Sequence, residues 1–66
     1  MKLISVQSRG DRLVKIWQTG LYKNQYCVEH KFMVKKAFYK AGAGTIHGLL
    51  SRALRAAEEW LKGAKI

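Results

Sequence analysis

The chain has 66 residues, which suffices for one small domain and is too short for a two-domain enzyme. Hydrophobic residues make up 48% of it, which argues against a wholly disordered chain, and one cysteine cannot form an intrachain disulfide. Thirteen Lys and Arg against four Asp and Glu give a net charge of +9, so we expect a polyanionic partner: nucleic acid, an anionic membrane or an acidic protein surface.

Two strands joined by a tight turn are predicted at the start of the chain. Residues 3–8 and 12–18 are rich in β-branched and aromatic side chains, which favour strands. Between them stands Arg9-Gly10-Asp11, where Gly10 suits the positive φ of a tight hairpin. The same three residues spell a cell-adhesion tripeptide, but a hairpin turn explains them better.

The middle of the chain fits two patterns. After turn residues at Thr19-Gly20 and Lys23-Asn24, residues 25–31 are predicted as a strand with Tyr26 and Val28 on one face. Residues 25–40 also show apolar positions at helical spacing, with Asn24 as a cap and Gly42 as a stop. We favour strands, and the helical alternative stays open at this point.

An amphipathic helix is predicted over residues 46–62. Its apolar stripe recurs at helical spacing and comprises Ile46, Leu49, Leu50, Ala53, Leu54, Ala57 and Leu61. Thr45 is the predicted N-cap, Glu58 and Lys62 form a favourable pair four residues apart, and Gly63 ends the helix. Residues 1–66 are therefore predicted to form a single α+β domain, a three- or four-stranded antiparallel sheet packed against one C-terminal amphipathic helix.

The positive charge belongs mainly to the sheet. Residues 1–44 carry a net charge of +7 and residues 45–66 a net charge of +2, which disfavours a membrane-binding helix. If residues 31–40 form one strand, Phe32, Val34 and Phe38 face the helix. Lysines that neutralise phosphates and aromatic rings that stack on bases would then share the uncovered face. The residues assigned to nucleic-acid binding are Lys15, Trp17, Lys31, Lys35, Tyr39 and Lys40.

This arrangement resembles the AP2 and integrase amino-terminal DNA-binding domains. The resemblance covers residues 12–62 and lies in the element order, in Lys15, Trp17 and Lys35, and in the turn that precedes the helix. It implies a sheet face that enters the major groove of DNA, with these three residues making contacts. The Ala-Gly-Ala-Gly run at 41–44 and the Ala-rich helix also resemble the end of a double-stranded RNA-binding domain, although Thr45-Ile-His-Gly48 stands where that family has lysines.

A second anion site is predicted where the glycine-rich turn meets the helix. Free amides at a helix N-terminus attract phosphate, so Gly42, Gly44 and Thr45 are assigned to binding a backbone phosphate. The alternative is a plain flexible turn. A dinucleotide site is disfavoured, because too few residues follow to supply another strand and an acidic partner.

The sequence offers no convincing metal or catalytic set. Cys27, His30 and His47 are the only soft ligands, whereas a structural zinc site needs four. His47 and Ser51 lie four residues apart, but the next turn of the helix brings Arg55, which cannot orient a histidine as a carboxylate would. We therefore expect no enzyme activity, no metal and no cofactor.

The predicted function is nucleic-acid binding through the uncovered sheet face, with duplex DNA favoured and RNA left open. The alternative is an inhibitor or accessory module of the kind encoded by phages and mobile elements, which docks on an acidic protein surface. Homodimerisation through Trp60 and the exposed part of the helix is a further hypothesis. No apolar run resembles a signal peptide or membrane span, so a cytoplasmic protein is expected.

Overall fold

A computed structural model describes residues 1–19 and 25–63 and shows an α+β domain, as the sequence predicts. The elements are β1 (Lys2–Arg9), β2 (Arg12–Gln18), β3 (Tyr26–Val34), β4 (Ala37–Lys40), β5 (Thr45–His47) and α1 (Leu50–Leu61). The turn predicted at Gly20, Lys23 and Asn24 lies outside the described residues.

The strands form one antiparallel sheet in the order β1-β2-β3-β4, and β5 also pairs with β3. Strands β4 and β5 share the outer side of β3: β4 pairs with residues 31–34 and β5 with residues 26–28. The β1–β2 and β3–β4 turns therefore lie at the same end of the sheet. A hydrogen bond from the Met33 amide to the Asp11 carbonyl, 2.6 Å long, joins the two hairpins there.

Residues 25–40 form strands, so the helical alternative is wrong. Strand pairing explains why this segment is not helical. Residues 26–32 of β3 pair with β2 on one side, and β3 pairs with β4 and β5 on the other side. A segment whose amides and carbonyls are satisfied by neighbours on both sides gains more from the sheet than from a local helix.

Helix α1 packs against β2, β3 and β5 and covers a small core. Val14, Ile16 and Val28 are fully buried on the sheet side, and the helix contributes Ala53 and Ala57. Small alanines let the helix approach the sheet closely, so three branched side chains suffice to fill the space between them.

Trp60 closes the core at the end of the helix. Its Nε1 donates to the carbonyls of Leu13 and Lys31, both at 3.2 Å, and its ring centroid lies 5.0 Å from that of His30. The guanidinium carbon of Arg12 lies over the Trp60 ring, 4.0 Å from its centroid. Trp60 is only 6% exposed, so this side chain is not available as a dimer contact, and homodimerisation stays a prediction that concerns the exposed part of the helix.

The helix begins later than predicted. Residues 45–47 form β5 instead, and α1 starts at Leu50 after the N-cap Leu49, which makes no side-chain capping bond. Thr45 is therefore not the N-cap; its hydroxyl lies 2.8 Å from Nε2 of His47. The open edge of β3 explains this, because residues 45–47 pair with it.

The end of the helix follows the prediction. Lys62 and Glu58 form an ion pair of 3.1 Å, and the Gly63 amide bonds the Trp60 carbonyl at 3.1 Å with Gly63 at φ 107°. The apolar stripe differs, since Leu49, Leu50 and Leu54 are exposed while Trp60 is buried. Over the described residues, no helix is long and apolar enough to cross a membrane.

Candidate nucleic-acid interface

The side of the sheet that faces away from α1 is uncovered, and we call it the open face. Strand pairing defines its members, because residues directly opposite each other across two antiparallel strands point to the same side. Lys15 lies opposite Glu29, Trp17 opposite Cys27, and Met33 opposite Phe38. The open face comprises Leu3, Val6, Ser8, Leu13, Lys15, Trp17, Cys27, Glu29, Lys31, Met33, Phe38, Lys40 and Ile46.

A β-bulge in the first strand adds two apolar side chains to this face. Pairing shifts between Leu3 and Ser5, so Leu3 lies opposite Trp17 while Val6 lies opposite Lys15. Without the bulge, residues three apart would point to opposite sides. Leu3 is 44% exposed and Val6 is 49% exposed, so both are available to a partner.

A shallow cleft of about 340 Å³ lies on the open face beside Trp17. Its lining includes Trp17, Cys27, Glu29 and Lys40, and Ala43 of the bend between β4 and β5 closes one side. Trp17 is half-buried, so its position is fixed while part of the ring stays accessible. A fixed indole next to a lysine can take a flat ring by stacking and an anion by charge.

The lysines of the open face are arranged around one carboxylate. Lys15 lies directly opposite Glu29, and Nζ of Lys31 lies 3.9 Å from Oε1 of Glu29. Lys40 lies directly opposite Lys31 on the neighbouring strand. Like charges placed opposite each other are destabilising, and an anion bound between them removes that cost.

Of the six residues assigned to nucleic acid, the structure brings four together on the open face: Lys15, Trp17, Lys31 and Lys40. Lys35 lies in the two-residue β3–β4 turn rather than on a strand face. Tyr39 lies opposite Phe32, on the helix side of the sheet, where it is 55% exposed.

The position of Tyr39 corrects the predicted face. Treating residues 31–40 as one strand keeps the alternation of sides unbroken, but the chain reverses at Lys35-Lys36 and Val34 pairs with Ala37. Phe38 therefore joins the open face, and Tyr39 does not. Phe32 and Val34 do lie on the helix side, yet they extend past the helix and are 37% and 42% exposed.

The predicted phosphate site does not lie at a helix N-terminus. Gly42, Gly44 and Thr45 belong to the bend and to β5, which separate them from the start of α1 at Leu50. Gly42 and Gly44 have φ of 78° and 80°, and a Cβ on Gly44 would lie 2.6 Å from the Val28 carbonyl oxygen. These glycines let the chain bend tightly against β3.

The soft ligands are divided between the two sides of the sheet. Cys27 lies on the open face, whereas His30 is buried under Trp60 and His47 pairs with Tyr26 on the helix side. No group of three His, Cys, Asp or Glu side chains suited to a metal ion occurs within 1–19 and 25–63.

His30 is a structural residue. It is 8% exposed, and across the described part of the chain its Nδ1 finds no hydrogen-bond partner. Burial lowers the pKa of His30 below 6.5, and the nearby His47 lowers it further. A neutral ring under the Trp60 indole is therefore the form that the fold favours.

Several members of the open face could not be identified from the sequence. Glu29 and Phe38 could be placed only once the register and the turn were known, and Leu3 and Val6 share a face only because of the bulge. Lys35-Lys36 carries none of the Asn or Gly that usually marks such a turn, so no sequence signal was present there.

The chain matches no protein-family model, no curated protein sequence and no solved structure.

Proposed function

We propose that this protein binds nucleic acid, with duplex DNA as the favoured ligand, through the open face. The observation that carries the proposal is the direct opposition of Lys31 and Lys40 beside the Trp17 cleft. Lysines directly opposite each other on neighbouring strands repel, and Glu29 offsets this charge only in part, at 3.9 Å from Lys31. A phosphate, the anion that nucleic acid repeats, would offset the remainder.

The surrounding residues support the same ligand. Trp17 and Phe38 offer aromatic surface for bases or groove walls, and Lys15 extends the positive charge across the neighbouring strand. Glu29 opposes binding, because its carboxylate would repel a phosphate placed between these lysines. Removing the Glu29 carboxylate should therefore raise the affinity if the ligand lies on the open face.

The first experiment is a titration of a labelled 20-base-pair duplex, and of single strands of the same sequence, at several salt concentrations. Each phosphate neutralised contributes a slope of about −0.9 to the plot of log affinity against log salt on duplex DNA. Three lysines on the open face would give roughly −2.7 from this surface. Binding without salt dependence would contradict the proposal. Tighter binding to single strands than to the duplex would show that duplex DNA is not the favoured ligand.

Two single substitutions on the same surface should act in opposite directions. Lys40→Gln should weaken binding and reduce the magnitude of the slope by about 0.9, without loss of fold stability, because a like-charge pair is relieved. Glu29→Gln should tighten binding at low salt. If both variants bind as the parent protein does, the ligand lies elsewhere.

One observation favours a second candidate, an acidic protein surface. The open face carries exposed apolar side chains between its lysines: Leu3, Val6, Met33 and Ile46 are 39–65% exposed. Protein interfaces combine apolar contact with a charged rim more often than nucleic-acid interfaces do. A partner that stays bound to immobilised protein after nuclease digestion, and is released by Lys15→Glu or Val6→Asp, would support this candidate.

A further inference from the structure

The β3–β4 turn holds two lysines in an unfavourable backbone conformation. Lys35 has φ of 50° and Lys36 has φ of 72°, between Val34 and Ala37, which pair with each other. Positive φ at both central residues is the type I′ geometry, which Asn-Gly adopts readily and lysine does not. Residues held in such conformations cluster at functional sites.

This turn lies in a strongly basic environment. It shares one end of the sheet with the β1–β2 turn, where Arg9 lies directly opposite Arg12 and Asp11 supplies the one carboxylate of those two turns. Lys35 and Lys36 are both exposed. Nearby positive charge makes an exposed lysine pair costly for the fold and attractive to a polyanion.

The turn continues the charge of the open face past the end of the sheet. Lys15 is level with Glu29, and Lys35 lies six residue steps beyond Glu29 along β3 and into the turn. At about 3.3 Å per residue, this places Lys35 roughly 20 Å from the level of Lys15. Lys31 lies between these two levels, so the lysines follow the direction of β3.

We propose that Lys35 and Lys36 form a phosphate-contacting tip, and that the ligand is an extended nucleic-acid backbone that runs along β3 and over the end of the sheet. This inference rests on the proposed function and deepens it, because it requires a polymer rather than a nucleotide. A length of 20 Å corresponds to roughly six base-pair steps of duplex, at about 3.4 Å per step. The strained turn persists because it aims both ammonium groups beyond the last paired residues.

The test separates turn geometry from charge. Lys35→Asn with Lys36→Gly supplies the residues that type I′ turns prefer and removes both charges. We expect its melting temperature to rise by about 5 °C or more, while its affinity for the 20-base-pair duplex falls and the magnitude of its salt slope drops by about 1.8. A residue pair with a purely structural role would not improve stability and impair binding together.

Two controls complete the design. Lys35→Gln with Lys36→Gln removes the charges but keeps unsuitable residues in the turn, so it should lose the same affinity without gaining stability. Arg52→Gln with Arg55→Gln removes the same net charge from exposed positions on α1, across the sheet from the open face, and should change the slope far less.

The outcomes distinguish this inference from the proposed function. If the parent protein binds the duplex, Lys40→Gln weakens it and the turn variants do not, the tip is refuted and the open face stands. If the turn variants and the helix control weaken binding equally, the turn contributes only net charge and the tip is again refuted. If the parent protein binds neither duplex nor single strands, the proposed function itself fails. Equal affinity for a free mononucleotide and the 20-base-pair duplex would refute the extended ligand.

Discussion

Gly44 is the position where the fold allows no side chain, and replacing it gives the sharpest test of the structure. It has φ of 80°, and a Cβ there would lie 2.6 Å from the carbonyl oxygen of Val28. An alanine in the left-handed region costs about 1–2 kcal/mol, and forcing β5 away from β3 adds about 1–3 kcal/mol. Gly44→Ala should therefore lower the free energy of unfolding by about 2–5 kcal/mol.

That loss is large for so small a protein. At roughly 0.05–0.15 kcal/mol per residue, a chain of 66 residues has a total stability of about 3–10 kcal/mol. Urea unfolding at 25 °C, followed by the fluorescence of Trp17 and Trp60, would measure the change. Gly48→Ala is the matched control, since nothing lies within 4 Å of its Cβ position and its φ is not in the left-handed region, so we expect a change within about 0.5 kcal/mol.

The pair of variants also decides what the bend does. If Gly44→Ala and Gly48→Ala have equal stabilities, Gly44 does not lie close to the Val28 carbonyl of β3. If Gly44→Ala keeps full stability but loses affinity for duplex DNA, Gly44 acts as a ligand for phosphate rather than as a spacer. The close approach of Gly44 to the Val28 carbonyl predicts the opposite result, a large loss of stability.

Two further predictions concern the other side of the sheet. Trp60→Phe should cost about 1–3 kcal/mol, because the carbonyls of Leu13 and Lys31 lose a donor. Trp60→Ala, which also removes the ring, should cost about 3–5 kcal/mol. Both are measured by urea unfolding, and a Trp60→Phe variant as stable as the parent protein would contradict the role given to the indole N–H. Since the pKa of His30 is lowered in the folded state, the unfolded chain takes up the proton first, and stability should fall as the pH drops below about 6.5. His30→Phe should reduce this pH dependence of the urea midpoint, and an unchanged dependence would assign it to other groups.

Much of the fold follows from local patterns in the sequence. The first two strands, the Gly10 turn and the C-terminal end of the helix are determined by residues close in the chain: alternation, a glycine with φ of 60°, and the Glu58–Lys62 pair. The alternation in β2 also placed Lys15 and Trp17 on the open face correctly. These features need no knowledge of distant partners.

The remaining features depend on partners far away in the chain. Thr45 looks like a helix cap until the free edge of β3 is known, and Trp60 looks exposed until Leu13 and Lys31 offer their carbonyls. The Lys35-Lys36 turn has no favourable local signal, so the side on which Tyr39 points could not be read from residues 31–40 alone. Tertiary pairing decided each of these against local preference.

The bulge in β1 has a consequence for how copies of this protein meet. Strand β1 lies at one edge of the sheet and none of its residues is buried, so its outer amides and carbonyls could act as a template for another chain. The break in register between Leu3 and Ser5 interrupts that template, and Lys2 and Arg9 place a positive charge at each end of it. A second chain that paired with the whole edge would have to accommodate the register break and the two positive charges. Both features therefore disfavour aggregation of this small sheet through β1.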